Sequence, residues 1–142
     1  MGYTHYWRPE TQIDEKTFEI ISGSARKVLD VARTELKIRL AYDFDKPAKD
    51  PVFTNELIRF NGTGNEGHET FYISREDTGF SFCKTARKPY DIVAVAVLCL
   101  ADYYSEGRFA VGSDGGIDDW KDGLSLARHI EPSCTLPNGV RE

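Results

Sequence analysis

Cysteine is scarce in this chain of 142 residues, methionine occurs once, and no apolar run exceeds ten residues. Each shortage excludes something. The odd set Cys83, Cys99 and Cys134, with no CxxC pair, fits free thiols in a reducing compartment better than a disulfide framework or a cysteine zinc site. The longest apolar stretch, Ile92 to Ala101, is about half of what a bilayer span requires. Residues Met1 to Arg8 have neither a basic segment nor an apolar signal core, so the expected location is cytoplasmic. Basic residues are also in deficit, with 18 Lys plus Arg against 23 Asp plus Glu and a net charge of -5. That balance argues against a general nucleic-acid coat protein, which neutralises phosphates over a broad basic face. One local basic pocket is still compatible with it. Three scattered histidines (His5, His68, His129) without HxxxH or HxH spacing predict no metal site, and no cofactor motif is present.

What is there reads as one globular domain over 1–142, long enough to bury a core without staples. A short strand is predicted from Gly2 to Trp7. Asp14 is placed to cap a helix over about 14–34 whose apolar positions, Phe18, Ile21, Ala25, Val28, Leu29 and Ala32, fall on one face. Lys37 to Phe44 alternates like a strand. Glu56 to Asn61 and His68 to Ile73 read as two half-buried strands joined by the glycine-rich Gly62 to Gly67, hence an antiparallel hairpin. Phe80 to Lys84 is another strand, with Phe80 and Phe82 on one face. Pro89 opens a buried helix over Tyr90 to Tyr104, with a strand as the competing reading because of its β-branched residues. Phe109 to Val111 reads as a short strand and Asp118 to Ile130 as a last helix. From Pro132 the tail is expected to be loose. The predicted class is α+β: a mainly antiparallel sheet with about three helices on one face.

The densest polar cluster, Cys83 to Asp91, sets Lys84, Thr85, Arg87 and Lys88 just before a helix start. Free N–H groups and the helix dipole favour an anion there, and Arg87 suits bidentate contact with phosphate. The same residues equally suit a solvated strand-to-helix turn. No P-loop glycines accompany them, so an NTPase is not implied. On the hairpin, alternation sends Arg59, Asn61, His68, Thr70 and Tyr72 to one face, where they could read the polar edges of a ligand or serve as an ordinary solvent face. His68 and Glu69 are the pair to consider for general acid–base work, although strand neighbours point apart. Tyr6 and Trp7 offer rings for stacking on a base, or the packed end of a sheet. Cys83, beside Lys84, is a candidate nucleophile with a lowered pKa. Asp114, Asp118 and Asp119 are acidic enough for a divalent ion, but helix capping explains them more simply.

The words GYTHYW (2–7), IRFNG (58–62), HETF (68–71), FCKTARKPYD (82–91) and SDG (113–115) resemble a family of small uncharacterised proteins of bacteriophages and bacteria. The resemblance implies a phage or prophage setting in a bacterial host and adds neither catalytic residues nor a cofactor. Small phage proteins of other families bind nucleotide messengers of host immunity, often as homo-oligomers. By that analogy the expected function is non-enzymatic sequestration of a phosphate-bearing small molecule. Two alternatives stay open: a small hydrolase of a phosphodiester or N-glycosidic bond using His68 and Glu69, and an inhibitor acting through a protein interface.

Overall fold

The computed structural model describes residues 3–140. Gly2 of the predicted first strand and residues 141–142 of the predicted tail lie outside them. The elements follow in the order β1 (Thr4–Trp7), α1 (Glu15–Thr34), β2 (Val52–Phe53), β3 (Leu57–Phe60), β4 (Phe71–Ser74), β5 (Ser81–Lys84), α2 (Asp91–Tyr104), β6 (Gly112–Ser113) and α3 (Ile117–Ile130). The class is α+β with three helices. The strands divide into two antiparallel three-stranded sheets, β5-β1-β6 and β2-β3-β4.

Helix α1 starts where a side chain satisfies its free N–H groups: Asp14 accepts from the Thr17 amide at 3.0 Å. Its predicted apolar face is buried throughout. Helix α2 is buried continuously from Val93 to Ala101, which settles the helix-or-strand ambiguity: it lies between α1 and α3 and has no solvent face along that stretch. Close approach of α3 to α2 requires Gly123, since a Cβ there would sit 2.2 Å from Val95 Cγ1. The predicted hairpin is present, with Ile58 opposite Ile73 and Phe60 opposite Phe71.

Three expectations are corrected. Lys37 to Phe44 buries Ile38, Leu40 and Ala41 but forms no strand; Lys37 takes a left-handed φ of 57°, and its pairings are isolated bridges, Ala41 to Asn61 and Asp43 to Lys46. Phe109 to Val111 is interrupted by Ala110 at φ 48°, so pairing begins at Gly112 instead. The tail is packed as far as it is described. Cys134 and Val140 are buried, Gly139 bridges to Gly112, and Arg128 Nε donates to the Cys134 carbonyl at 2.8 Å. Its apolar side chains join the single core cluster, which outweighs the loop-forming composition. No helix among the described residues is long and apolar enough to cross a membrane.

Candidate functional site

The inward face of β1 carries an unusual residue for a core. His5 is fully buried, with Nε2 2.6 Å from Asp91 Oδ1 and Nδ1 2.7 Å from Ser113 Oγ. Asp91, in the first turn of α2, also accepts the Thr85 hydroxyl at 2.5 Å. The anion that the helix start favours is thus supplied by the chain itself. Ser113, His5 and Asp91 are the residue types of a hydrolytic triad. Hydrogen-bond counting gives them another role. Ser113 Oγ accepts from the Gly115 amide at 2.9 Å and from Trp120 Nε1 at 3.1 Å. Both lone pairs are then used, so its proton must go to Nδ1, and the single ring proton of His5 goes to Asp91. A serine so saturated has no electron pair with which to attack. The network instead ties β1, α2, β6 and α3 together.

Above this frame lies the predicted basic turn. Lys88 N donates to the Thr85 carbonyl at 3.0 Å, and the two residues between, Ala86 and Arg87, have φ of 53° and 58°. Two consecutive left-handed non-glycine residues cost about 1–2 kcal/mol each. The surroundings hold them there. The Thr85 and Ala86 amides donate to the Tyr3 carbonyl at 3.1 and 3.2 Å, and Thr85 is buried on Asp91. The Arg87 guanidinium lies 3.9 Å from the Tyr3 ring centre, while its Nη1 is 2.7 Å from Asp119 Oδ1. Arg87 and the Gly116 amide hold the Asp119 carboxyl below the usual carboxylate range. Burial pushes the Tyr3 phenol up to about 12, and its hydroxyl has no hydrogen-bond partner among the described residues. Nε and Nη2 of Arg87 and the ammonium of Lys88 likewise have none. An open recess of about 470 Å³ runs along Gly116 to Asp119 beside this pair.

The other predicted site residues go elsewhere. Lys84 alternates with buried Cys83 and therefore points with Phe82 to the outer face of its sheet. Arg59 lies over the Tyr42 ring at 3.8 Å and pairs with Asp43 at 3.2 Å. Asn61 is buried and spends all its hydrogen bonds on the hairpin loop. Its Oδ1 accepts from the Gly62 and His68 amides at 2.7 and 3.1 Å, and its Nδ2 donates to the His68 carbonyl and Thr70 Oγ1, each at 3.0 Å. His68 is exposed. The Glu69 carboxylate accepts the Lys84 amide at 2.8 Å, and among the described residues no hydrogen bond joins it to the His68 ring. Trp7 is in the core against Phe71, and Tyr6 is on the opposite face of the strand.

Two candidate chemistries lose their basis. Burial pushes the Cys83 thiol up to about 12, the reverse of an activated nucleophile. Asp119 caps α3, Asp114 accepts the Thr4 amide, and no group of three or more His, Cys, Asp or Glu that could hold a metal occurs among the described residues. Sequence reasoning gave Tyr3 and Ser113 no role here, and weighed His5 and Asp119 only as possible metal ligands or, for Asp119, as a helix cap. The SDG word and the alternation Tyr3, His5, Trp7 were the only signals available. No protein-family model matches this chain, and neither a curated protein nor a solved structure matches it.

Proposed function

We propose that this chain binds, without turning it over, a phosphate-bearing small molecule of the nucleotide class at the 85–88 turn. The observation that carries this reading is Arg87: a guanidinium aimed by a strained turn, backed by an aromatic ring, with one edge unengaged. Such an edge matches two phosphate oxygens, and the neighbouring Lys88 adds a second charge. Asp119, held ionised, suits a sugar hydroxyl. The Arg87–Asp119 pair is largely exposed, with side chains 61% and 34% accessible, so sharing it with a ligand costs little. The strain is present before any ligand arrives, which is preorganisation. Binding rather than turnover is supported by the saturated Ser113 and by the lack of a hydrogen bond between His68 and the Glu69 carboxylate among the described residues.

The setting in this reading is a phage one, in which the protein sequesters a messenger of host immunity; its support is the resemblance in the sequence words. Calorimetry against a panel of nucleotides, cyclic oligonucleotides and ADP-ribose-type compounds tests the site. One class should bind more tightly than about 100 μM, be recovered intact after denaturation, and lose at least about tenfold in affinity in Arg87→Ala, equivalent to about 1.4 kcal/mol. Absence of any such ligand, or equal affinity in Arg87→Ala, overturns the proposal. Product formation favours the hydrolase.

A further inference from the structure

The outer face of β5-β1-β6 is built in two rows. Register places Tyr6 beside Phe82 and Gly112, and Thr4 beside Lys84; Asp114 follows β6 on the far side of Thr4. One row is aromatic. Phe80 and Phe82 are 58% and 57% exposed, and the Phe80 ring lies 6.0 Å from both Tyr6 and Phe82. Gly112 has no side chain because Tyr6 rests on it, since a Cβ there would meet Tyr6 Cε1 at 2.3 Å. The other row reads Lys84, Thr4, Asp114: a cation at one edge, an anion at the other. The Lys84 ammonium has no partner among the described residues, and Asp114 uses one carboxylate oxygen on the Thr4 amide. A contiguous exposed aromatic patch marks an interaction surface.

We propose that the partner is a second copy of this chain, packed face to face about a two-fold axis parallel to β1. Such a rotation lays β5 of one copy over β6 of the other. Lys84 then faces the partner's Asp114, and symmetry repeats the pair at the opposite edge. The same operation sets Phe82 over the ring of the partner's Tyr6, while the two Tyr6 positions meet at the axis. This axis puts unlike charges together twice; a rotation about the perpendicular in-plane axis lays cation over cation when the axis runs along the charged row, and lays each row over the unlike one when it runs between the rows. A contact built on two rows of one three-stranded sheet belongs at the weak, low end of specific interfaces. It does not depend on the ligand reading.

A charge-reversal pair tests it by sedimentation velocity, with circular dichroism to confirm folding. Wild type should dimerise at concentrations up to about 1 mM. Lys84→Glu alone and Asp114→Lys alone each oppose like charges and should be monomeric. Mixed in equal amounts, the two variants set the introduced glutamate of one against the introduced lysine of the other at one edge. At the opposite edge the unchanged Asp114 and Lys84 still face each other, so a one-to-one dimer should form. A monomeric wild type, dimers of both single variants, or a mixture that stays monomeric overturns the proposal. The last outcome matters most, because it separates a lost interface from a merely disturbed fold. Ligand binding measured on the same samples stands or falls separately.

Discussion

The two sheets are alike in strand number and differ in how strictly they sort polar from apolar side chains. Sheet β2-β3-β4 follows ordinary alternation: Ile58, Phe60, Phe71 and Ile73 face the core, while Arg59 and Tyr72 face outward. Sheet β5-β1-β6 keeps Trp7 inside but buries His5 with Ser113 beside it, and turns Tyr6 and Phe82 outward. Burying polar groups is tolerable only when every one of them is paired, and the His5 network meets that condition. Exposing aromatic rings is tolerable when something covers them. The inverted sheet is therefore where binding surfaces are to be sought, whereas the conventional one is scaffold. Its polar groups, the outward Arg59 and Thr70 and the buried Asn61, are tied to Asp43 and to the hairpin loop.

The sharpest way to break this contrast is to truncate the same residue type in each sheet. Phe60→Ala, in the conventional core, should cost about 3–5 kcal/mol, read from urea unfolding. Phe82→Ala, measured in dilute solution where chains are monomeric, should stay within about 0.5 kcal/mol. Equal losses would mean that the outer ring is packed like a core residue and the two sheets do not differ. Next in size is His5→Ala, expected to cost about 3 kcal/mol because Asp91 and Ser113 lose their shared partner. His5→Leu should recover little of that, since it restores volume without the hydrogen bonds; full recovery by leucine would show that packing, not polarity, holds the inverted sheet. The smallest expected effect is a gain. Ala86→Gly relieves one left-handed residue at the cost of extra chain entropy, for a net stabilisation of roughly 0.5 kcal/mol. A loss of stability there would mean that the turn is not strained as its backbone angles imply.

Local signals served where local physics decides. The Asp14 cap, the face of α1, the buried run of α2 and the β3-β4 hairpin were all legible, because capping, periodicity and glycine content act over a few residues. The basic turn was legible as a cluster of residues, and its side chains were not. Lys84 goes to the outer face, Thr85 is taken by Asp91, and Arg87 finds Asp119 from 32 positions further along the chain. Asn61 has the residue type of a ligand contact and is the clasp of its own loop, a role that depends on His68 and Thr70 coming back across the hairpin. The Lys37 to Phe44 segment has strand-like alternation without a neighbour of matching length. Alternation reports which side chains are buried and is silent on whether a ladder exists.

Taken alone, the amino-acid order settled the α+β class, the first and last helices, the hairpin and the position of the basic turn, and left the 90–104 segment as a helix with a strand as its rival. Each of these follows from contacts within a dozen residues. Only the folded chain decided that the sheet would be two sheets and that His5 would face inward between Asp91 and Ser113, with Tyr6 and Phe82 facing outward. Those outcomes depend on which strands meet, since β1 pairs with β5 nearly eighty residues away and with β6 beyond that. Pairing at such separation trades chain entropy against burial over the whole molecule, and no short stretch of sequence records the result.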